Sequence, residues 1–284
     1  MNWYLPGQLK SSWFWLSAIA VGLILIQLDL TYKILGKVDS VIISALFWLA
    51  ISYLIWNKRH TLNLQSNVFS TFCGLLIIIF ILVKSQSLFW YESFFVKLSA
   101  LLSFLCWSLL ASGISGLKQY KQEFIILLIL VSEQQIITLI SEKIDISILA
   151  AKFSTFLLWY LGFQVSRQGI NVILPTGEIQ IYSGCSGLNA IVLLLQLALV
   201  FILVFPINFL NKILVPLVAI FLAFIINVFR LALMVLLVAS SNKEAFEFWH
   251  GQPGNEVFST LSILAFGYFC HFILRENHLE VIRR

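Results

Sequence analysis

Ile213–Ala239 reads ILVPLVAIFLAFIINVFRLALMVLLVA, a run in which Arg230 is the one charge. About 20 apolar residues in a helix cross a hydrocarbon core of about 30 Å. Lipid offers no partner to an open backbone, so such a run must be helical. Outward from it the pattern recurs, with apolar spans near 12–30, 39–56, 67–83, 94–112, 124–141, 188–205 and 255–274. Short polar connections such as Asn57-Lys58-Arg59-His60 and Lys118-Gln119-Tyr120-Lys121 separate them. Of 284 residues, 60% are apolar and 11% charged, where an ordinary soluble domain carries about a quarter charged. That leaves too little polar surface to coat a water-soluble globule. The expected fold is an all-α polytopic membrane protein with about eight transmembrane helices, forming a single integral membrane domain over 1–284 without repeats or linkers. Lys10 ahead of the first run imitates a secretory signal, but the run is long and lacks a small-residue cleavage site, so it reads as the first anchor.

The net charge of +5 does not point to nucleic acid, because the 18 Lys and Arg stand singly or in pairs at span ends, as helix anchors do. Cys73, Cys106, Cys185 and Cys270 show no CxxC spacing, which argues against a zinc site or a disulfide framework. No metal and no cofactor is expected. Residues 146–163 have the length of a further span. However, Lys143, Ser147, Ala151, Ser154 and Thr155 recur at helical intervals, giving one polar stripe and an expected interfacial helix. Next, residues 168–182 hold two β-prone runs around Pro175-Thr176-Gly177 and read as a small hairpin at the outer membrane face. Eight crossings with a cytoplasmic N-terminus put loops 57–60 and 118–121, with Arg275, Arg283 and Arg284, on the inner face, as positive charge prefers. Lys33, Lys37, Lys84 and Lys97 oppose this, and an odd number of crossings with the N-terminus outside serves comparably. The two topologies agree on the last three spans.

Three positions carry candidate chemistry. Cys185, in Ser183-Gly184-Cys185-Ser186-Gly187-Leu188-Asn189, stands at the expected N-terminus of a transmembrane helix. There, unpaired N–H groups and the helix dipole favour a thiolate, and glycines let another chain approach. Its bland alternative is a small helix-start residue. Cys73, Cys106 and Cys270 lie inside apolar spans as small hydrophobes. Arg230 lies roughly 26 Å beyond Lys212 at helical rise, near the opposite membrane face. Charge within a membrane segment suggests function or a partner in the bundle. A snorkelling anchor is less apt, since apolar sequence continues past it. Asn227 shares its helix face and is expected to orient the guanidinium. His250 precedes the last span in a Gly and Pro turn, and an imidazole can exchange protons near neutral pH.

If span 188–205 runs inward, span 213–239 returns outward and span 255–274 runs inward, then Cys185, Arg230 and His250 share the outer face. A thiol, a proton carrier and a fixed cation form the minimum set for attack on a carbonyl.

In that order, Cys185-Ser186-Gly187-Leu188, Asn227-Val228-Phe229-Arg230 and His250 resemble the signature of the exosortases, polytopic membrane proteins similar to sortases in chemistry but not in fold. The stretches around 168–177, 182–189 and 244–250 look like the cyanobacterial branch, and the likeness covers roughly 120–275. The resemblance implies a cysteine protease and transpeptidase with Cys185, Arg230 and His250 as catalytic residues and Asn227, Ser186 and Gly187 in support. It implies substrates exported with a C-terminal tail made of a Pro-Glu-Pro type motif, an apolar span and a basic end. Tail release would leave a thioester on Cys185 for an acceptor nucleophile to resolve, in the plasma (inner) membrane with the site facing the periplasm.

Two other classes stay open on sequence. In a transporter or scaffold, Arg230 and His250 would form a polar pathway with Glu133, which sits beside Gln134 and Gln135 and, with Asp29, supplies the carboxylates inside spans. A lipid phosphatase or glycosyl carrier enzyme would want clustered Lys, Arg and carboxylates at one face, and few are present.

Overall fold

The structure, a computed structural model, describes residues 12–86 and 93–283. Lys10 and Arg284 lie outside the described residues, as do the side chains of His278 and Arg283. Contacts group the chain into two compact units, Met1–Val131 and Ser132–Arg284.

The first unit is helical: α1 (Ser12–Leu35), α2 (Val38–Lys58), α3 (Val68–Gln86), α4 (Ser93–Gly116) and α5 (Lys121–Val131). α1 packs on α2 and α4, and α3 on α4. Gly113, at φ 65°, turns the chain inside α4, and a 3-10 turn at Leu117–Tyr120 completes the reversal. Phe104 and Phe124 consequently meet ring to ring at 5.1 Å, whereas a straight helix would hold them roughly 30 Å apart. The two basic loops converge as well. Lys58 Nζ donates to the Gln119 carbonyl at 2.7 Å and to Glu123 Oε2 at 2.8 Å, and the Asn63 N–H donates to Gln119 Oε1. They therefore occupy one end of this unit. One buried polar series runs between helices: Trp48 Nε1 donates to Gln27 Oε1, and Gln27 Nε2 to Thr31 Oγ1.

The second unit begins with a departure. The run 124–141 does not form one crossing helix, because the chain breaks at Ser132 and resumes as α6 (Glu133–Ser141), nine residues with none buried. Glu133-Gln134-Gln135 lies at that break. α7 (Ser147–Tyr160) has 14 residues, roughly 21 Å of helix, too short to cross. Its stripe faces the opposite way from expectation: Ser147, Ala151 and Ser154 are buried, while Lys152 is exposed among Phe153, Phe156 and Trp159. Small residues permit close packing, and α7 lies against α9 with Phe153 edge-on to Phe224.

The hairpin becomes a three-stranded antiparallel meander, β1 (Ser166–Gln168), β2 (Asn171–Leu174) and β3 (Gly177–Gln180), in that order. β1 is short and wholly exposed, so no apolar alternation announces it. The inner face of the sheet, with Val172, Leu174, Ile179 and Ile181, packs onto Leu231, Met234 and Val235 of α9 and onto α7. The chain then runs through α8 (Leu188–Val204), α9 (Phe209–Ala239), α10 (Lys243–His250) and α11 (Gln252–Arg283). α8, α9 and α11 share a second core around Leu194, Ala219, Ala223 and Phe266. Among the described residues, six helical segments are long and apolar enough to cross a membrane: α1, α2, α3, the α4–α5 segment, α9 and α11. α8 is apolar but has 17 residues, just under that length.

Candidate active site

Cys185 ends a 3-10 turn, Ser183–Cys185, that joins the sheet to α8. Its N–H donates to the Tyr182 carbonyl at 2.9 Å, and Ser186 Oγ donates to the Ser183 carbonyl at 2.7 Å, which ties the turn together. Gly187 follows at φ 91° as the N-cap of α8, a left-handed conformation that side chains resist. A Cβ there would also sit 2.8 Å from Asn227 Nδ2. Two demands thus fix glycine at 187. Gly184, on the other side of the cysteine, faces open space, so room for an approaching chain lies on that side.

Asn227 departs from expectation. Its Nδ2 donates to the Cys185 carbonyl at 3.0 Å, so it holds the backbone of the cysteine and not the guanidinium. The rise between Asn227 and Arg230 puts both on the face of α9 toward the site, but each serves a different segment.

His250 is the last residue of α10, an eight-residue helix capped by Asn242 Oδ1 accepting from the Ala245 N–H, and not part of a loop. Its Nε2 lies 3.7 Å from Cys185 Sγ. Phe246, one turn earlier, stacks on the imidazole with centroids 5.2 Å apart and planes 10° from parallel. Sequence reasoning missed Phe246, although the four-residue spacing to His250 was a legible signal. The turn Gly251-Gln252-Pro253-Gly254 then launches α11. A Cβ on Gly254 would lie 2.4 Å from Trp249 Cα, so glycine lets the start of α11 close against the final turn of α10.

Arg230 is 7% exposed, and its guanidinium reaches that same final turn. Nη2 donates to the His250 carbonyl at 3.1 Å, while Nε and Nη2 approach the Trp249 carbonyl at 3.4 and 3.5 Å. The last carbonyls of a helix have no partner within it and sit at the negative end of the dipole. A buried cation answers both needs with charge-assisted bonds. The apolar sequence beyond Arg230 packs under the sheet through Leu231, Met234 and Val235.

Thus the structure brings Cys185, Asn227, Arg230 and His250 together at one end of the second unit. It leaves Cys106 and Cys270 buried in helices and Cys73 half-buried in α3. Glu133 lies at the start of α6, which packs on α8.

A polytopic helical protein with a half-exposed thiol beside an imidazole and a buried guanidinium has the composition of a membrane-embedded thiol enzyme. The family model for the transmembrane exosortases (Exosortase_EpsH) matches residues 37–267. The chain belongs to that family of membrane cysteine transpeptidases. No curated protein and no solved structure matches it.

Proposed function

We propose that this chain is a cysteine protease and transpeptidase of the cyanobacterial exosortase branch, of the cyanoexosortase A type. It cleaves the C-terminal sorting tail of exported proteins at the periplasmic face of the plasma membrane. The observation that carries the reading is the 3.7 Å separation of Cys185 Sγ and His250 Nε2. That is within reach of a sulfur hydrogen bond, between residues 65 positions apart in the chain.

In this reading, Cys185 gives its proton to His250 and its sulfur attacks the scissile carbonyl carbon. The C–N bond then breaks, and His250 returns a proton to the leaving amine of the tail. An acceptor nucleophile attacks the thioester, and the thiol is restored. No oxidant or energy source is needed, because one acyl bond is exchanged for another. Arg230 has two roles. It clamps the end of α10 so that the imidazole meets the sulfur. Its Nη1, which makes no hydrogen bond among the described residues, leaves donors for the charge that develops on the carbonyl oxygen. Asn227, Gly187 and Ser186 hold the turn that presents Cys185.

The test is processing of a tail-bearing substrate, co-expressed with the enzyme, by Cys185→Ala, Arg230→Ala and His250→Ala. All three variants are expected in the membrane at wild-type level, with tail removal lost. Undiminished tail removal by Cys185→Ala would end the cysteine mechanism.

A further inference from the structure

Cys185 is reached directly from β3, and β3 is an edge strand. The direction of its free hydrogen-bonding groups follows from the ladder. The Ile181 N–H donates to the Ile170 carbonyl, and Val172 pairs with Ile179 and Leu174 with Gly177. Alternation in an antiparallel sheet therefore turns the N–H and C=O of Ile179 toward β2 and those of Glu178 and Gln180 away from it. On the far edge the same logic turns the groups of Arg167 in β1 outward, since Ser166 and Gln168 pair with Ile173 and Asn171. Among the described residues neither edge of the sheet pairs with a further strand, and the β3 edge is the one that continues into the cysteine turn.

The outer face of β3 is exposed as well. Glu178 and Gln180 are exposed, while Ile179 packs toward α9. Tyr182 is 62% exposed and bonds through its hydroxyl to Gln180 Oε1, so an aromatic ring lies on the same face as Gln180. From there the chain passes Gly184, which faces open space, to the thiol.

We propose that the β3 edge is the docking site for the extended motif of the sorting tail, which adds as a fourth strand parallel to β3. The proposal rests on the function given above. The direction follows from the path of the chain: β3 leads through Cys185 into α8, and the substrate likewise leads from motif to scissile bond to membrane-spanning tail. Parallel pairing opposite Ile179 gives one substrate residue two bonds, its N–H to the Glu178 carbonyl and its carbonyl from the Gln180 N–H. A Pro-Glu-Pro motif suits that geometry. The central Glu supplies both groups, and the flanking prolines, which have no N–H, point theirs away from the sheet, as proline in an edge strand requires. The proline rings then lie on the face of Gln180 and Tyr182, where the tyrosine offers an apolar surface.

The experiment measures binding without turnover, using full-length Cys185→Ala protein and a synthetic peptide that carries Pro-Glu-Pro, an apolar span and a basic end. Adding Gln180→Pro removes the outward N–H and is expected to weaken binding at least about fivefold, the scale of one lost hydrogen bond. Arg167→Pro makes the same lesion on the other edge and is expected to leave binding within about twofold. N-methylation of the peptide's central Glu should match the loss on an unaltered sheet, so a misfolded variant cannot imitate the result. Unchanged affinity for the N-methyl peptide, or equal losses from Gln180→Pro and Arg167→Pro, would overturn the edge proposal. Those results leave the cysteine mechanism standing, because that mechanism falls only with continued processing by Cys185→Ala.

Discussion

At the scale of single residues, the site is held by backbone carbonyls as much as by side chains. Asn227 grips the carbonyl of Cys185, and Arg230 grips that of His250, so one face of α9 sets the distance between sulfur and imidazole from both ends. The sequence pointed to every one of these positions, but not to what Asn227 holds, since helical spacing tells which residues share a face and not what lies opposite. Gly187→Ala tests the grip on the cysteine. Its Cβ would meet Asn227 and its φ is unfavourable, so processing should fall at least about tenfold, with strain of about 1–2 kcal/mol. Adding Asn227→Ala removes the collision but not the strain, and tail-cleavage rates should not return to wild type. Arg230→Lys tests the other end. A lysine keeps the charge without the planar fork, and processing should drop at least about tenfold while the protein still inserts. A fully active lysine variant would reduce Arg230 to a point charge.

Elements explain why these residues meet. α10 is short and gains its position from the Arg230 clamp below and from the closure of α11 against Trp249. Gly254→Ala would force that closure open by intruding on the Trp249 backbone. The expected outcome is loss of processing with membrane level retained, read by co-expression with a tail-bearing substrate. The helices themselves were legible from apolar run length, and seven of the eight expected spans correspond to helices here. The run 124–141 was not, because mean apolarity hides a break at the four consecutive polar residues Ser132-Glu133-Gln134-Gln135. The small-residue stripe of α7 was seen but turned the wrong way, since Ser and Ala at helical spacing mark a hydrated face and a close helix contact alike. Lys58 and Glu123, bonded at 2.7 Å with the carboxylate fully buried, were missed because the carboxylate falls one residue before the apolar run. Glu123→Ala should lower the stability of the first unit by about 2–3 kcal/mol by stranding the lysine, visible as a lower melting temperature of the purified protein. Unchanged melting would mean that Lys58 is adequately solvated without its partner.

For the whole molecule, the account requires that Cys185 open to the periplasmic side. Loops 57–60 and 118–121 meet at one end of the first unit, and, as a separate claim about the second unit, α8 is proposed to run inward from an outward-facing thiol. A membrane-impermeant thiol reagent added to intact cells should therefore label Cys185 in a variant with the other three cysteines replaced by alanine. Labelling only after the inner face is exposed would reverse the topology. The central claim is that this sulfur takes the acyl group of the substrate. It is tested most directly by intact mass measurement of the enzyme, quenched in acid during turnover of a tail-bearing peptide. The account predicts a hydroxylamine-labile adduct on Cys185 with the mass of the peptide minus its released tail. Tail release with no adduct on Cys185, or an adduct on another residue, would contradict it.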